Sequence, residues 1–446
     1  MLAFRCLPAR ALDSVENTWE HPPGSAGFSL LASMFGRLKP ALPGSGLLRA
    51  TFGRLKPALP GLLLAVLAPV WSADSWPHFR GLNRDGVSVE KDALAGLTAA
   101  GPKPAWKASL GTGFTSIAIA GGRVFASGNA NDQDTLHCLD AASGASVWAY
   151  SYPARLDPKQ YEGGPNATPT VADGAVYIFS KDGVAAKVDA ATGAEVWKVD
   201  AAKLAGGNRP NFGFSGSATV LAGRVYLNLC SRGACLDAAT GALVWKSGGA
   251  AAGYATPIPR DDGKRMLILA ARSLVLVESA DGTVVWEQDW PIKNGISPAV
   301  PVIDGTRIFL SAGYNFGCGL FEVGAGTPKE IWRSQAMRNH FNGCVLVAGH
   351  LYGFDDKTLK CLVFATGDEK WSKTDLGKGS LIAADGKLVV LSEKGELVIA
   401  PASPDGFTEI CRVQALTGKC WTSPALADGS IYCRNAKGDL ACLRVR

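Results

Sequence analysis

The sequence predicts an all-β fold, an eight-bladed β-propeller of four-stranded antiparallel blades. A nine-residue pattern that ends in Trp recurs at intervals of 39 to 49 residues, about the length of a four-stranded blade. A second pattern, in which a small residue begins an apolar run, a turn and another run, occurs eight times. The 446 residues also include 53 Gly and 25 Pro, which is typical of short strands and tight turns rather than helices.

The Trp-ended pattern is clearest in three copies, which read DAASGASVW (140–148), DAATGAEVW (189–197) and DAATGALVW (237–245). Degenerate copies end at Trp286 and Trp371, and a looser one reaches Trp332. Asp accepts N–H bonds within a turn and Gly adopts the left-handed conformation, while Trp supplies a large apolar surface between neighbouring blades. The pattern therefore predicts a fold rather than a catalytic group.

The eight copies of the second pattern begin near Ser116, Ala167, Gly216, Ala255, Ser297, Gly343, Ser380 and Ser423. The eighth unit has room for three strands, because the sequence ends at LACLRVR. The segment PAWKASL (104–110) is a lone strand with no unit before it. We therefore expect this N-terminal strand to complete the last blade and close the ring, which covers a sheet edge.

The first 73 residues are predicted to be a leader with a signal peptide. Its apolar core spans about residues 59–70, too short to cross a bilayer but suited to a signal sequence. The decapeptide FGRLKPALPG occurs twice, at 35–44 and 52–61, and translation from Met34 would suit the depth of the signal. No later segment reaches transmembrane length. We expect export to the periplasm or the exterior, a lead-in segment at 74–103 and the propeller at 104–446.

The charge of the chain does not suit nucleic-acid binding. The net charge is +6, but the leader holds seven basic and three acidic residues, so residues 74–446 carry 38 basic and 36 acidic residues. This near-neutral balance lacks the basic stripe that phosphate backbones require. Ten of the 11 Cys lie beyond the leader. The pairs Cys230/Cys235 and Cys433/Cys442 either face each other across hairpins or are small buried apolar side chains.

The D-x-x-[ST]-G-x-x-x-W repeat resembles that of quinoprotein-type propellers, the PQQ-binding-like repeat family, from about Trp76 to Arg446. The resemblance implies that each Trp docks onto the next blade. It also implies kinship with two branches of the fold: the PQQ-dependent alcohol dehydrogenases, and an outer-membrane assembly scaffold that carries no cofactor. The implied blade-docking residues are Trp106, Trp148, Trp197, Trp245, Trp286, Trp332 and Trp371.

Several features of the dehydrogenase branch are missing from this sequence. It has no adjacent Cys pair of the kind that lies beside PQQ, and no C-x-x-C-H for a c-type haem. None of the five His stand at metal-ligand spacing, so no metal site is predicted. The segment NANDQD (129–134) is rich in oxygen ligands that suit Ca²⁺, but a solvated loop between strands explains it as well.

The candidate site is the mouth of the central channel, where the segments that enter the innermost strands meet. Mixed aromatic and amide groups there suit a flat polar ligand, or they simply cap the channel. Four residues of FRGLNRDG, namely Arg80, Asn83, Arg84 and Asp85, lie across the same mouth or pack on a blade side. The candidate ligand-binding residues are Phe114, Glu162, Asn166, Phe214, Tyr254, Asn294, His340, Asn342, Lys378 and Trp421.

Two functions follow from the resemblance. The first is an exported, monomeric, non-catalytic binding or scaffold propeller that assists envelope or outer-membrane protein assembly, with envelope proteins or extended peptides as partners. No cofactor is assigned to this function. The alternative is a PQQ-dependent alcohol dehydrogenase-like oxidoreductase that holds PQQ and Ca²⁺ at the channel mouth. Both rest on analogy at the level of the fold.

Overall fold

The computed structural model describes residues 76–159, 161–292, 295–324 and 326–445. Within them, 32 strands form eight four-stranded antiparallel sheets. A five-residue α-helix, α1 (Ala201–Ala205), and a 3₁₀ turn at Asp261–Gly263 are the helical elements of the described residues. The predicted all-β, eight-bladed propeller is confirmed. The predicted leader lies outside the described residues.

The strands follow one another along the chain, with the innermost strand of each blade first, except that strand β1 (Lys103–Ser109) precedes blade 1. Blades 1 and 2 contain β2 (Ala118–Ala120), β3 (Arg123–Ala130), β4 (Gln133–Asp140), β5 (Ser146–Pro153), β6 (Thr170–Ala172), β7 (Ala175–Phe179), β8 (Val184–Asp189) and β9 (Glu195–Asp200). Blades 3 and 4 contain β10 (Thr219–Leu221), β11 (Arg224–Leu227), β12 (Ala234–Asp237), β13 (Leu243–Lys246), β14 (Ile258–Arg260), β15 (Arg265–Leu269), β16 (Ser273–Glu278) and β17 (Val284–Asp289).

The second half of the ring repeats this order. Blades 5 and 6 contain β18 (Val302–Asp304), β19 (Arg307–Ala312), β20 (Gly317–Glu322), β21 (Lys329–Ser334), β22 (Val345–Val347), β23 (His350–Asp355), β24 (Thr358–Val363) and β25 (Glu369–Lys373). Blades 7 and 8 contain β26 (Ser380–Ala384), β27 (Lys387–Leu391), β28 (Glu396–Pro401), β29 (Cys411–Gln414), β30 (Ala425–Ala427), β31 (Ser430–Arg434) and β32 (Asp439–Arg444).

The ring closes as predicted, because β1 is the outer strand of blade 8. It pairs antiparallel with β32, with Lys103 opposite Arg444 and Ser109 opposite Asp439. A buried Arg adds a second connection across this closure. Arg434, in β31, donates to the backbone oxygens of Ser127 at 2.6 Å and Gly111 at 3.1 Å, which belong to blade 1 and the segment before it.

The Trp at the end of each repeat docks onto the following blade. The indole N–H of Trp148 donates to the Ala190 oxygen at 3.1 Å, and that of Trp197 donates to the Ala238 oxygen at 3.1 Å. The same bond is made by Trp106, Trp245, Trp332 and Trp371. Trp286 lies in one apolar cluster with Phe321 of blade 5. Six of these Trp residues therefore tie their blade to the next through an indole hydrogen bond, and Trp286 does so through packing.

A β-bulge precedes each of these Trp residues. In β5, Trp148 pairs with Cys138 while Ser146 pairs with Leu139, so Val147 is the extra residue. Corresponding register shifts leave one residue unpaired in the other Trp-bearing outer strands: Ala105, Val196, Val244, Val285, Ile331 and Lys370. A bulge bends its strand and redirects the next side chain, which here is the Trp. Seven of the eight outer strands carry this bulge, and β29 pairs with β28 without a shift.

The lead-in segment lies against the inner strands and crosses one end of the channel. Trp76 pairs with Ile119 of blade 1, and Val87 pairs with Ala383 of blade 7. Between them, Arg80 donates to the Cys344 oxygen of blade 6 at 2.5 Å. Further along, the Leu94 N–H donates to the carboxylate of Asp385, which lies in the turn after the inner strand of blade 7. The lead-in therefore lies at the end of the channel opposite the predicted mouth, so FRGLNRDG takes neither of the two expected placements.

The cysteines of the described residues contain no disulfide. All ten are buried and free, so both candidate pairs are small buried side chains. Burial raises the pKa of Cys433 and Cys442, which keeps these thiols protonated and poorly reactive.

Candidate functional site

A cavity of about 360 Å³ lies at the channel mouth. It is lined by residues of the segments that enter the inner strands, including Ser116, Thr256 and Thr422. Phe79 of the lead-in segment also lines it. Because the lead-in crosses the opposite end of the channel, Phe79 lies at the inner end of the cavity.

Seven of the ten candidate residues line this cavity: Phe114, Asn166, Tyr254, His340, Asn342, Lys378 and Trp421. Glu162 does not, and its carboxylate instead accepts from Lys419 Nζ at 2.8 Å. Phe214 is fully buried in the apolar cluster between blades 2 and 3, so it is not available to a ligand in the channel. Asn294 lies outside the described residues.

Aromatic side chains form a nearly continuous arc around the opening. Trp421 stacks on Phe341 with ring centroids 4.3 Å apart, and Phe341 stacks on His340 at 4.0 Å. In the other direction Phe114 lies 6.0 Å from Trp421 and 5.3 Å from Tyr161. We call the set Tyr314, His340, Phe341, Trp421, Phe114, Tyr161 and Phe212 the aromatic arc. The stacked members present their edges to the cavity, whereas Phe114 has tilted and edge contacts with its neighbours.

Three hydroxyls deeper in the cavity link successive blades. The Ser116 N–H donates to Thr168 Oγ1 at 2.9 Å, the Thr168 N–H to Ser217 Oγ at 3.0 Å, and the Ser217 N–H to Thr256 Oγ1 at 2.9 Å. We call Thr168, Ser217 and Thr256 the hydroxyl ring. Each of these oxygens accepts a hydrogen bond from a backbone N–H of the preceding blade, so the hydroxyl ring links blades 1 to 4 at the channel.

The amide side chains at the mouth hold the approach segments in place. Asn166 Nδ2 donates to the Phe212 oxygen at 3.1 Å, and Asn342 Nδ2 donates to the Trp421 oxygen at 3.0 Å. The Trp421 indole N–H in turn donates to Glu393 Oε1 at 3.0 Å. The donors expected to recognise a ligand are thus largely occupied by the protein itself.

A Lys–His contact sets the electrostatics of one side of the cavity. Lys378 Nζ lies 2.9 Å from Asp356 Oδ1 and 2.8 Å from His340 Nδ1. Burial, together with the neighbouring Lys378 charge, lowers the pKa of His340 to about 4. The imidazole is therefore neutral at pH 7. Since its Nδ1 accepts from the ammonium group, the ring proton resides on Nε2.

The described groups do not fit PQQ with Ca²⁺. Ca²⁺ takes six to eight oxygen ligands, mainly carboxylates, yet no Asp or Glu is among the described residues that line the cavity. The three carboxylates of PQQ call for cations, and the lining Lys378 is already paired with Asp356. In the described ranges no three His, Cys, Asp or Glu side chains are grouped to bind a metal.

The oxygen-rich segment NANDQD likewise forms a closed hairpin end. Asn129 and Asp134 are buried, and Asn129 Nδ2 donates to Asp134 Oδ1 at 2.6 Å and to the Ala154 oxygen at 2.8 Å. Burial raises the pKa of Asp134. These contacts make the segment part of the blade 1 scaffold.

Sequence reasoning missed Phe79, the hydroxyl ring and four members of the aromatic arc, Tyr161, Phe212, Tyr314 and Phe341. A signal existed for the hydroxyl ring, because Thr168, Ser217 and Thr256 each follow the small residue that opens a repeat unit. No local pattern marks Phe79, since its place in the cavity depends on how the lead-in segment crosses the ring.

Comparisons with known proteins agree with this architecture. A family model described as outer membrane protein assembly factor BamB matches residues 90–260, 181–399 and 234–446. A search of curated proteins finds no match. Among solved structures, BamB from Moraxella catarrhalis is similar with a TM-score of 0.60 and 17% identity, covering 77% of this chain and 99% of that one.

Dehydrogenases of the same fold are similar to a comparable degree. The quinohemoprotein alcohol dehydrogenase from Comamonas testosteroni has a TM-score of 0.61 and 14% identity, covering 83% of this chain and 80% of that one. The quinohemoprotein alcohol dehydrogenase ADHIIG from Pseudomonas putida HK5 has a TM-score of 0.59 and 13% identity, covering 84% and 80%. At these identities the likeness shows the propeller fold alone. The resemblance expected from the repeats is confirmed.

Proposed function

The chain belongs to the family described as outer membrane protein assembly factor BamB, and from that premise we propose that it is an exported, non-catalytic binding propeller. It acts in the periplasm or outside the cell as a monomer, and it assists envelope or outer-membrane protein assembly. Its partners are polypeptides in extended conformation. No helix in the part of the chain that the structure describes is long and apolar enough to cross a membrane.

The absence of a catalytic role is supported by how the mouth uses its polar groups. Catalysis needs an acid, a base or a nucleophile within reach of a bound substrate. Here the Glu393 carboxylate accepts from the Trp421 indole and from the Lys378 backbone N–H, and Glu162 is paired with Lys419. Among the titratable groups that line the cavity, Lys378 is paired with Asp356, and the pKa of His340 is far below the usual range for a base at neutral pH.

The observation that carries the binding role is the outer edge of blade 7. A bulge blunts an edge strand against pairing with other chains, and seven outer strands have one. Strand β29 has no bulge and no Trp. The backbone groups of Cys411–Gln414 make no hydrogen bond to a described segment other than β28. This edge suits the addition of a strand from a partner.

The edge also carries charged side chains that ion pairs hold in place, and these favour an extended partner with both polar and apolar side chains. Arg412 donates to Glu409 at 2.6 Å and to Glu396 at 3.0 Å, so its guanidinium is held along the strand. Arg412 also reaches Asp375 at 2.9 Å. A partner strand would pair with the backbone donors and acceptors of β29, which lie next to these ordered charges. The charges would then set the register of the partner strand as well as its affinity.

Site-specific photocrosslinking tests the role of β29. A photoreactive phenylalanine analogue is placed at Gln414, at the exposed end of β29, and in a matched variant at Val196, which is 51% exposed in the bulged strand β9. The partner is an unfolded outer-membrane β-barrel polypeptide diluted from urea. We expect crosslinking at position 414 to exceed that at position 196 at least about fivefold, since strand addition requires a pairing-competent edge. Equal crosslinking, or none at 414, contradicts the proposal.

The alternative, a PQQ-dependent alcohol dehydrogenase, draws support from the likeness to the quinohemoprotein dehydrogenases. A similar fold does not by itself establish a similar function. The donor set of the cavity weighs against this alternative, because it offers neither carboxylates for Ca²⁺ nor free cations for PQQ among the described residues.

A further inference from the structure

The cavity contains hydroxyl protons that have no acceptor among the described residues. Each oxygen of the hydroxyl ring accepts an amide proton, and none donates to an acceptor in the described ranges. Two further hydroxyls, Thr422 Oγ1 and Ser423 Oγ, are buried without a hydrogen-bond partner in the part of the chain that the structure describes, and their residues, each 3% exposed, line the cavity. Buried polar groups without partners are rare and costly. A ligand with acceptor oxygens would satisfy them.

The imidazole of His340 adds another donor of the same kind. Its Nδ1 is occupied by Lys378, and its Nε2 is buried with no hydrogen-bond partner in the described ranges. Since Nε2 carries the ring proton, it donates rather than accepts. Donors therefore predominate on both sides of the cavity.

The walls provide aromatic surface above these donors. Phe341 is stacked between His340 and Trp421, at centroid distances of 4.0 and 4.3 Å, so both of its faces are covered. Phe114 is not stacked in this way, since it lies 6.0 Å from Trp421 at an angle of 36° and 5.3 Å from Tyr161 at 61°, and it lines the cavity. Such surfaces bind molecules that have one flat apolar face and a polar edge. A pyranose ring has this shape, since its C–H bonds form the face and its oxygens the edge.

Charge and depth restrict the class of ligand further. The described lining has no carboxylate, and its ammonium group belongs to the Lys378–Asp356 pair, so a strongly charged ligand finds no counter-ion. Phe79 and the lead-in segment lie across the channel at the inner end of the cavity, so they stand in the path of an extended polypeptide. A volume of about 360 Å³ is at the small end of ligand sites.

We infer that the cavity is a binding site for a short neutral saccharide. One sugar ring packs against Phe114 of the aromatic arc, and its oxygens accept from the hydroxyl ring, Thr422 and His340. The contacts are non-covalent. This site is separate from the edge of blade 7, so binding of a saccharide and crosslinking at position 414 succeed or fail independently.

Titration of the purified protein with three neutral disaccharides tests the inference: cellobiose, maltose and N,N′-diacetylchitobiose. Intrinsic Trp fluorescence reports binding, because Trp421 is in the arc. We expect saturable binding of at least one disaccharide below about 10 mM, the range of weak small-ligand sites. No binding of any of the three at that concentration overturns the inference, as does displacement of a bound disaccharide by a proline-rich decapeptide.

The variant Thr422→Val tests whether the Thr422 hydroxyl contacts the ligand or only supports the fold. Valine has the shape of threonine, and Thr422 Oγ1 makes no hydrogen bond within the described protein, so the fold loses no bond. We expect the melting temperature to be maintained and the affinity to fall about three- to tenfold, as for one lost hydrogen bond. The control Thr98→Val removes an exposed hydroxyl of the lead-in and leaves affinity unchanged. Equal affinity in both variants contradicts the assigned contact.

Discussion

Replacement of Arg434 by Met is expected to lower the free energy of unfolding by about 3 to 5 kcal/mol, because it removes several buried hydrogen bonds of one charged donor at once. Arg434 is fully buried in β31. Its guanidinium donates to the oxygens of Ser127 and Gly111, and to both the backbone and hydroxyl oxygens of Thr115. Burial lowers the pKa of Arg434 to about 9, so the group remains charged at pH 7.

The loss is large because methionine fills the volume but removes the Arg434 donor from the backbone oxygens of Gly111 and Thr115. The Ser127 oxygen keeps its bond from Thr115 Oγ1. These oxygens lie where the first and last blades meet, so the ring is weakened at its closure. Urea unfolding followed by Trp fluorescence measures the change. Arg444→Met is the matched control, since Arg444 lies in β32 and donates to the Ala142 oxygen of blade 1 at 2.9 Å but is exposed. The control is expected to change stability by less than about 0.5 kcal/mol. Equal losses would contradict the role of Arg434.

Acidification from pH 7 to pH 4 is expected to destabilise the fold, with about 3 kcal/mol lost through His340 alone. The pKa of His340 is lowered to about 4 in the folded protein, against about 6.5 in an unfolded chain. Between these values the unfolded chain binds a proton that the folded protein does not. Stability is therefore full above pH 6.5 and falls as the pH drops towards 4. His78 of the lead-in acts in the same direction, because burial lowers its pKa well below 6.5.

Urea unfolding at pH 7.0, 5.5 and 4.5 tests this dependence. In His340→Gln and His78→Gln the slope of stability against pH is expected to be shallower than in the unmodified protein. Asp134 opposes the trend, since its pKa is raised by burial and its protonation favours the folded state. A pH slope that is unchanged in both variants would contradict the assignment to buried histidines.

The sequence predicted the blades well because the repeat encodes local geometry. The Asp and Gly of DAATG form turns, and the Trp that follows has one packing partner in the next blade, as Trp148 and Trp197 illustrate. The number of blades could be predicted from patterns that repeat within about 50 residues. Ring closure could be predicted because the segment at 104–110 was a strand without a blade and the last blade lacked one strand.

The site was predicted less completely because it depends on contacts between distant segments. Phe212 and Phe214 are two residues apart in one irregular segment, yet Phe212 lines the cavity and Phe214 is in the core. Periodicity does not separate them outside regular strands. The bulges before each Trp are set by pairing register, which the sequence of one strand does not record. The position of Phe79 depends on the path of the whole lead-in.

The most direct test of the central claim, a binding propeller rather than a quinoprotein dehydrogenase, is titration of the purified protein with PQQ in the presence and absence of Ca²⁺. Absorbance and Trp fluorescence report binding, because Trp421 and Phe341 are at the cavity opening. We expect no saturable, Ca²⁺-dependent signal up to about 100 μM PQQ, since the described cavity offers no carboxylate and no free cation. Saturable binding that requires Ca²⁺ would contradict the claim and support the dehydrogenase function.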